Sequence, residues 1–234
     1  MAKLQKVPTL SIIIPTLNAA SFLPLLLADL NAWPYRKDII LVDGGSTDLT
    51  VSIAQINKIK VIKIPEANRG LQLNIGASNA KGDWLLFLHA DSRLDQRWVK
   101  SLSNIIRNLS SQHFAWYFEF KIKRQKLQLR ILELAVALRS QLFQRPYGDQ
   151  GLLIHRNLYH LSGGYLPLKI MEDIDFITRI TKTTKLRNIG ENIYTDGSKW
   201  DDSNVIRRAI KSAILRRKWK QGYDINKLYK EYYS

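Results

Sequence analysis

The sequence has no cysteine, which excludes disulfide bridges and thiolate metal sites. No stretch reaches about 18 consecutive apolar residues, so the pattern holds no membrane-spanning helix. The apolar run in 1-MAKLQKVPTLSIIIP-15 is about six residues long and ends at Pro15, too short for a secretory signal. Internal repeats and low-complexity segments are missing as well. Acidic side chains are scarce: 20 Asp and Glu face 36 Lys and Arg, a formal charge of +16. What is present is a core. Apolar residues make up 45% of 234 positions, too many for a disordered chain and enough for one large domain with or without an appendage. The expectation is a cytoplasmic protein that touches the inner face of a membrane without crossing it.

The positive charge is uneven. Residues 1–100 hold 12 basic and 8 acidic side chains, against 24 and 12 in residues 101–234. The excess lies in 121-KIKRQKLQLR-130 and 207-RRAIKSAILRRKWK-220. Such runs attract nucleic acid, anionic lipid or phosphorylated substrates, or form a solvated face. Trp219 is their single aromatic, too few for a base-stacking platform, which argues against nucleic acid. Leu127, Ile131, Leu134, Leu138 and Leu142 fall on one stripe of a predicted helix. That stripe either faces the core or, with its basic neighbours, meets an anionic membrane surface.

The first ninety residues alternate between strand and helix patterns. Strands are predicted over 11–15, 38–42, 60–64 and 84–88. Helices are predicted over 21–33, from 43-DGGSTD-48 to about Asn57, and over 69–80. Ser21 is the expected N-cap of the first helix, and Ser46 or Thr47 of the second. This β-α alternation predicts an α/β fold with a mostly parallel sheet, helices on both faces and a ligand at the carboxyl ends of the strands. The second half predicts a helix over 95–109, an aromatic-rich strand over 114–122, a helix over 127–143 and another within 171-MEDIDFITRI-180. A basic helical extension from about Ser203 to Tyr233 breaks at Gly222. The expected division is a domain over 1–200, with a nucleotide-binding half (9–91) and an acceptor half (92–200), and an extension over 201–234.

Four places carry chemistry. Asp43, at the end of the second strand, accepts hydrogen bonds from a nucleobase or ribose, or else caps the next helix. Arg69 and Gly70 open a helix, where a guanidinium reaches a phosphate or the loop is an ordinary helix start. In 84-WLLFLHADSRL-94 a buried strand exits into His89 and Asp91, two residues apart and on one side, a pair suited to a divalent cation with open positions. In 172-EDID-175 a carboxylate facing the crevice could take a proton, or the acids offset a helix dipole. On a helix at most two of Glu172, Asp173 and Asp175 face one point.

With 11-SIIIPTLNAA-20, 42-VDGGSTD-48, 69-RGLQLNIGA-77, 87-FLHAD-91, 163-GGY-165 and 172-EDID-175 with Arg179 side by side, the chain resembles the family 2 glycosyltransferases of the GT-A fold. It looks most like a bacterial subgroup with Leu-His-Ala-Asp in place of Asp-x-Asp. The resemblance covers about residues 9–200. It implies that Pro15, Thr16 and Asn18 line a nucleotide pocket beside Asp43, which meets the base, and that Arg69 closes it. It implies Mn2+ or Mg2+ on Asp91, with His89 where the family has its first carboxylate, and Asp173 as the general base of an inverting transfer. Asp149, Gln150, Glu172 and Trp200 fall on the acceptor side. Lys199 stands where the family often has an arginine beside the tryptophan. The implied partners are a nucleotide sugar, with UDP-sugar as the first guess, and an unidentified acceptor that is lipid-linked if the membrane contact holds. Two rival readings remain at this point. One is a two-carboxylate hydrolase, which would release free sugar without an acceptor. The other is a non-catalytic membrane or nucleic-acid binder, which would ignore nucleotide sugars.

Overall fold

Ile12, Ile13 and Ile14 are all fully buried, so both faces of their strand are covered and it lies at the centre of a sheet. The structure, a computed structural model, describes residues 8–124, 126–195 and 205–233. Trp200 lies outside them. Strand β1 (Leu10–Thr16) pairs in parallel with β2 (Lys37–Asp43) and β4 (Trp84–Phe87), and β2 pairs in parallel with β3 (Lys60–Lys63). Helices α1 (Leu23–Asn31), α2 (Thr50–Ile56) and α3 (Arg69–Asn79) make the crossovers. The strand's two-residue period then sorts the core. Ile12, Ile14 and Leu41 pack with Leu23, Leu26 and Ala54 on one face. Ile13, Ile40 and Val42 pack with Leu73 and Ala77 of α3 on the other.

The second half completes an eight-stranded sheet in the order β3-β2-β1-β4-β7-β6-β8-β5, with β5 (Arg93–Leu94), β6 (Ala115–Ile122), β7 (Leu152–His155) and β8 (Leu186–Thr195). Here β7 runs antiparallel to β4 and β6, β6 runs parallel to β8, and β5 runs antiparallel to β8. The remaining helices are α4 (Trp98–Arg107), α5 (Leu127–Phe143), α6 (Arg156–Leu161), α7 (Glu172–Ile180), α8 (Val205–Lys220) and α9 (Ile225–Tyr233). The sheet therefore joins a parallel half, β3-β2-β1-β4, to a mixed half, β7-β6-β8-β5.

Several local expectations need correction. Helix α1 starts two residues after Ser21, and α2 starts at Thr50, whose N–H is held at 2.9 Å by Asp48 Oδ1 rather than by Ser46 or Thr47. The stripe on α5 does not face the core. Leu127, Ile131, Leu134, Leu138 and Leu142 are 78, 61, 61, 46 and 69% exposed. The inward face instead carries Leu129, Glu133, Val136 and Ser140. The polar pair there is satisfied: Glu133 Oε1 accepts from Ile122 N at 2.7 Å, and Ser140 Oγ donates to Gln150 Oε1 at 2.8 Å. Among the described residues no helix is long and apolar enough to cross a membrane. The C-terminal pair α8–α9 turns at Gly222, whose φ of +82° suits glycine. It docks Leu215 and Leu228 on Ile170, Met171 and Ile174.

Candidate functional site

The carboxyl ends of β1 and β2 are stitched together by side chains. Asp43 is buried, and its carboxylate accepts four hydrogen bonds: from Thr16 Oγ1 (3.1 Å), Ser46 Oγ, Gly45 N (3.1 Å) and Ser46 N (2.9 Å). Asn18, in the left-handed region at φ 50°, accepts from Thr47 N at 2.9 Å while its own N–H donates to Ser46 Oγ at 2.8 Å. Gln72 of α3, unforeseen from the sequence, is buried and donates to the carbonyls of Thr16 (2.9 Å) and Val42 (2.8 Å). The result is a rigid double loop with Asn18 exposed at its rim and Pro15, Thr16 and Asp43 buried beneath. Asp43 is thus internally satisfied, and to meet a base it would exchange one of its four bonds.

Across the crevice, α7 sends its three acids to three places. Glu172 has no exposed surface and forms an ion pair with Nε of Arg69. Burial alone would lower the Arg69 guanidinium, but the Glu172 and Asp173 carboxylates more than offset this and hold it above its ordinary value. Arg69 is therefore a permanent cation tethered between α3 and α7. Asp175 turns away to Arg179 at 2.6 Å, and Arg179 in turn donates to the carbonyls of Ser162 and Gly164 at 2.6 Å each. That leaves Asp173 as the α7 acid facing the crevice. Its Oδ2 accepts from Gly148 N and its Oδ1 from Ile174 N, both at 2.8 Å.

His89 meets Asp173 at Gly148. A Cβ built on Gly148 would lie 2.9 Å from His89 Nε2 and 3.3 Å from Asp173 Oδ2, so the two side chains flank a backbone without room for a methyl group. The cleft beside them is about 170 Å³ and is shared by Arg69, His89, Asp149 and Asp173 with Arg216 of α8 and Tyr232 of α9. Two cations approach the Tyr147 ring, Arg139 at 3.8 Å and Arg216 at 5.5 Å from its centre. Among the described residues Arg216 has no carboxylate partner. It was not singled out from the sequence because a basic helix surface gives no sign of which of its arginines turns inward. Asp149 Oδ1 is buried without a hydrogen-bond partner among the described residues, and burial pushes the Asp149 carboxyl up, with Arg139 opposing.

Two residues placed on the acceptor side are buried and held by protein partners. Gln150 is 1% exposed: its Oε1 accepts from Ser140 Oγ and Arg139 Nη2, and its Nε2 donates to Phe118 O at 3.2 Å. It braces the 147–151 turn. Glu172 is buried on Arg69 and acts through it. Asp91 is half-buried just past β4 but is not among the residues lining the cleft around Asp173. The close pair is His89 and Asp173.

The divalent cation implied by the resemblance can be tested on its donor set. His89 and Asp91 are both half-buried at the strand exit. Among the described residues, no three His, Asp or Glu side chains gather into a metal site. One carboxylate and one imidazole leave most positions of a six-coordinate ion to other oxygens. These residues fit a cation that arrives with a diphosphate, and the imidazole nitrogen suits Mn2+ better than Mg2+.

Comparison with known proteins shows the family and the fold. Residues 11–152 match the family described as Glycosyl transferase family 2. The chain is 30% identical over 195 residues to a PGL/p-HBAD biosynthesis glycosyltransferase of Mycobacterium bovis, covering 74% of this chain and 69% of that one. Its fold is similar to mannosyltransferase PcManGT from Pyrobaculum calidifontis in complex with GDP-Man and Mn2+, with a TM-score of 0.66, 17% identity, and coverage of 98% of this chain and 70% of that one. It is also similar to S. aureus TarS 1-349 in complex with UDP-GlcNAc, with a TM-score of 0.64, 18% identity, and coverage of 88% of this chain and 66% of that one, just under two thirds.

Proposed function

Because the chain belongs to glycosyl transferase family 2, we propose that it moves a sugar, with inversion, from a nucleoside diphosphate donor to a hydroxyl acceptor carried on a lipid at an anionic membrane surface. One observation carries the chemistry: His89 Nε2 and Asp173 Oδ2 both lie beside Gly148 and line one cleft at the carboxyl ends of the strands.

The nucleotide lies against the stitched loop of Pro15, Thr16, Asn18 and Asp43. The cleft alone is smaller than the roughly 300 Å³ of ordinary ligand pockets, so it holds the sugar end while the base rests on the loop. Asp173 takes the proton of the attacking hydroxyl. Two backbone N–H groups fix its carboxylate so that the remaining lone pairs aim at the acceptor. Arg69 and Arg216 bring positive charge towards the departing diphosphate, where negative charge grows as the bond breaks. A divalent cation, held by Asp91 with His89 beside it, would add Lewis-acid stabilisation of that same charge. Asp149 shapes the acceptor side.

A thermal-shift screen of nucleotide sugars with and without manganese tests the pocket. A donor at a hundredfold excess over its Kd should stabilise the fold by about 2.7 kcal/mol. UDP-sugars come first and GDP-sugars second, since neighbours of the fold bind each. No shift with any nucleotide sugar would reject the reading. Free sugar released as fast without acceptor as product forms with it would make the protein a hydrolase.

Arg216→Ala should weaken donor binding about tenfold or more, the worth of one charge-assisted bond to phosphate. Arg217, exposed on the same helix, is the control: Arg217→Ala should leave donor binding unchanged. Equal effects of the two would reduce Arg216 to bulk surface charge.

A further inference from the structure

We propose that α5 is a bilayer-docking helix, whose outward aliphatic stripe enters the interface of an anionic membrane while the surrounding cations meet its headgroups. The proposal rests on the sugar-transfer reading in one respect: docking would present the cleft to an acceptor anchored in that bilayer.

The helix is amphipathic in the reverse sense from a core helix. Five of its large aliphatic side chains, Leu127, Ile131, Leu134, Leu138 and Leu142, are exposed within an arc of about 80°, while Leu129, Leu132 and Val136 pack inward. Phe143, also exposed, extends the apolar surface at the end. Seventeen residues make a helix about 25 Å long. The packed face uses Leu129 and Val136 with a hydrogen-bonded Glu133 and Ser140, and the outward aliphatics leave about half or more of their surface uncovered by the fold.

Charge selects the occupant. Exposed Lys123, Lys126, Arg130 and Arg145 border the helix. The one acid of α5, Glu133, is turned inward and paired with Arg130 at 2.6 Å. A second copy laid stripe to stripe would bring Lys126 and Arg130 against their own kind. A surface of anionic headgroups over acyl chains complements both the stripe and its border.

The helix is also tied to the site. Arg139 stacks on Tyr147 and donates to Arg145 O at 2.9 Å, and Ser140 holds Gln150. The turn after α5 lines the cleft with Tyr147 and Asp149.

The test is sedimentation of the full chain with sucrose-loaded vesicles at physiological salt, using phosphatidylcholine alone and an equal mixture with phosphatidylglycerol. The protein should pellet with the anionic vesicles only. Ile131→Ser with Leu134→Ser should lower that partition roughly tenfold or more, with an unchanged melting temperature and unchanged nucleotide-sugar binding. Wild-type protein left in the supernatant with anionic vesicles would overturn the proposal. So would a double variant that pellets as well as wild type, or one whose only change is the loss of a dimer. Nucleotide-sugar binding on the same samples separates the two readings. A chain that binds donor but no anionic vesicle loses the docking helix and keeps the transferase, whereas one that binds vesicles but no donor loses the transferase and keeps the helix.

Discussion

Asp173→Asn leaves nucleotide-sugar binding in place and lowers turnover roughly 10²–10⁴-fold, the usual worth of a positioned base. The substitution is nearly isosteric, so its structural cost can be bounded. Asp173 accepts one N–H on each oxygen. An amide keeps one of these bonds and turns a donor towards the other N–H, a loss on the order of 1 kcal/mol. That is too little to unfold the domain, and the Asp173 carboxylate accepts from Gly148 and Ile174 rather than from the loops after β1 and β2. Donor affinity measured by thermal shift and turnover measured with acceptor therefore separate. If turnover stays at the wild-type level, Asp173 is not the base; an acceptor that attacks as an already anionic phosphate would give that result. If donor binding is lost as well, the variant has disturbed the 147–151 turn, and kinetics on Asp173→Glu must decide whether a carboxylate in a shifted position restores any rate.

Gly148→Ala has the second largest expected effect, a fall in turnover of about 10²-fold from misplacement alone. The added methyl would sit 2.9 Å from His89 Nε2 and 3.3 Å from Asp173 Oδ2. Both are ends of side chains that can swing, so the variant should fold with little change in melting temperature. What it loses is the placement of imidazole and carboxylate beside that backbone. Gly190→Ala is the opposite case. No heavy atom lies within 4 Å of its added Cβ, but its φ is +83°. It should cost about 1 kcal/mol of stability and leave kinetics unchanged. Turnover in Gly148→Ala equal to wild type would mean that the close contact at Gly148 has no bearing on the reaction.

Much of the parallel half was legible because its signals are local. Three successive isoleucines followed by Pro15 fit a strand covered on both sides, and the end of the second strand was marked by the polar, glycine-containing turn 43-DGGSTD-48. The antiparallel half was harder. Strand β8 carries Gly190 at a register shift opposite Tyr117 and Glu119, and this breaks the two-residue alternation that would have announced it. Strand β7 is four residues sandwiched between a 3-10 turn and α6, too short for periodicity. At the site, the sequence supplied His89, Asp91, Arg69 and Asp173 but not who faces whom. Which α7 acid looked inwards depended on Arg69 and Arg179 claiming the other two. The burial of Gln150 was not legible, because buried and exposed glutamines have the same letter. The α5 stripe was read correctly as a stripe, but periodicity cannot say whether a face is covered by the protein itself.

The clasp between α8–α9 and the body has an optical consequence. Trp219 packs with Ile170, Met171 and Ile174 around Leu215 and Leu228, and it lies three residues, nearly one helical turn, from Arg216. Its indole therefore reports from the clasp, and the colour of its emission follows how firmly the C-terminal pair is seated beside the cleft.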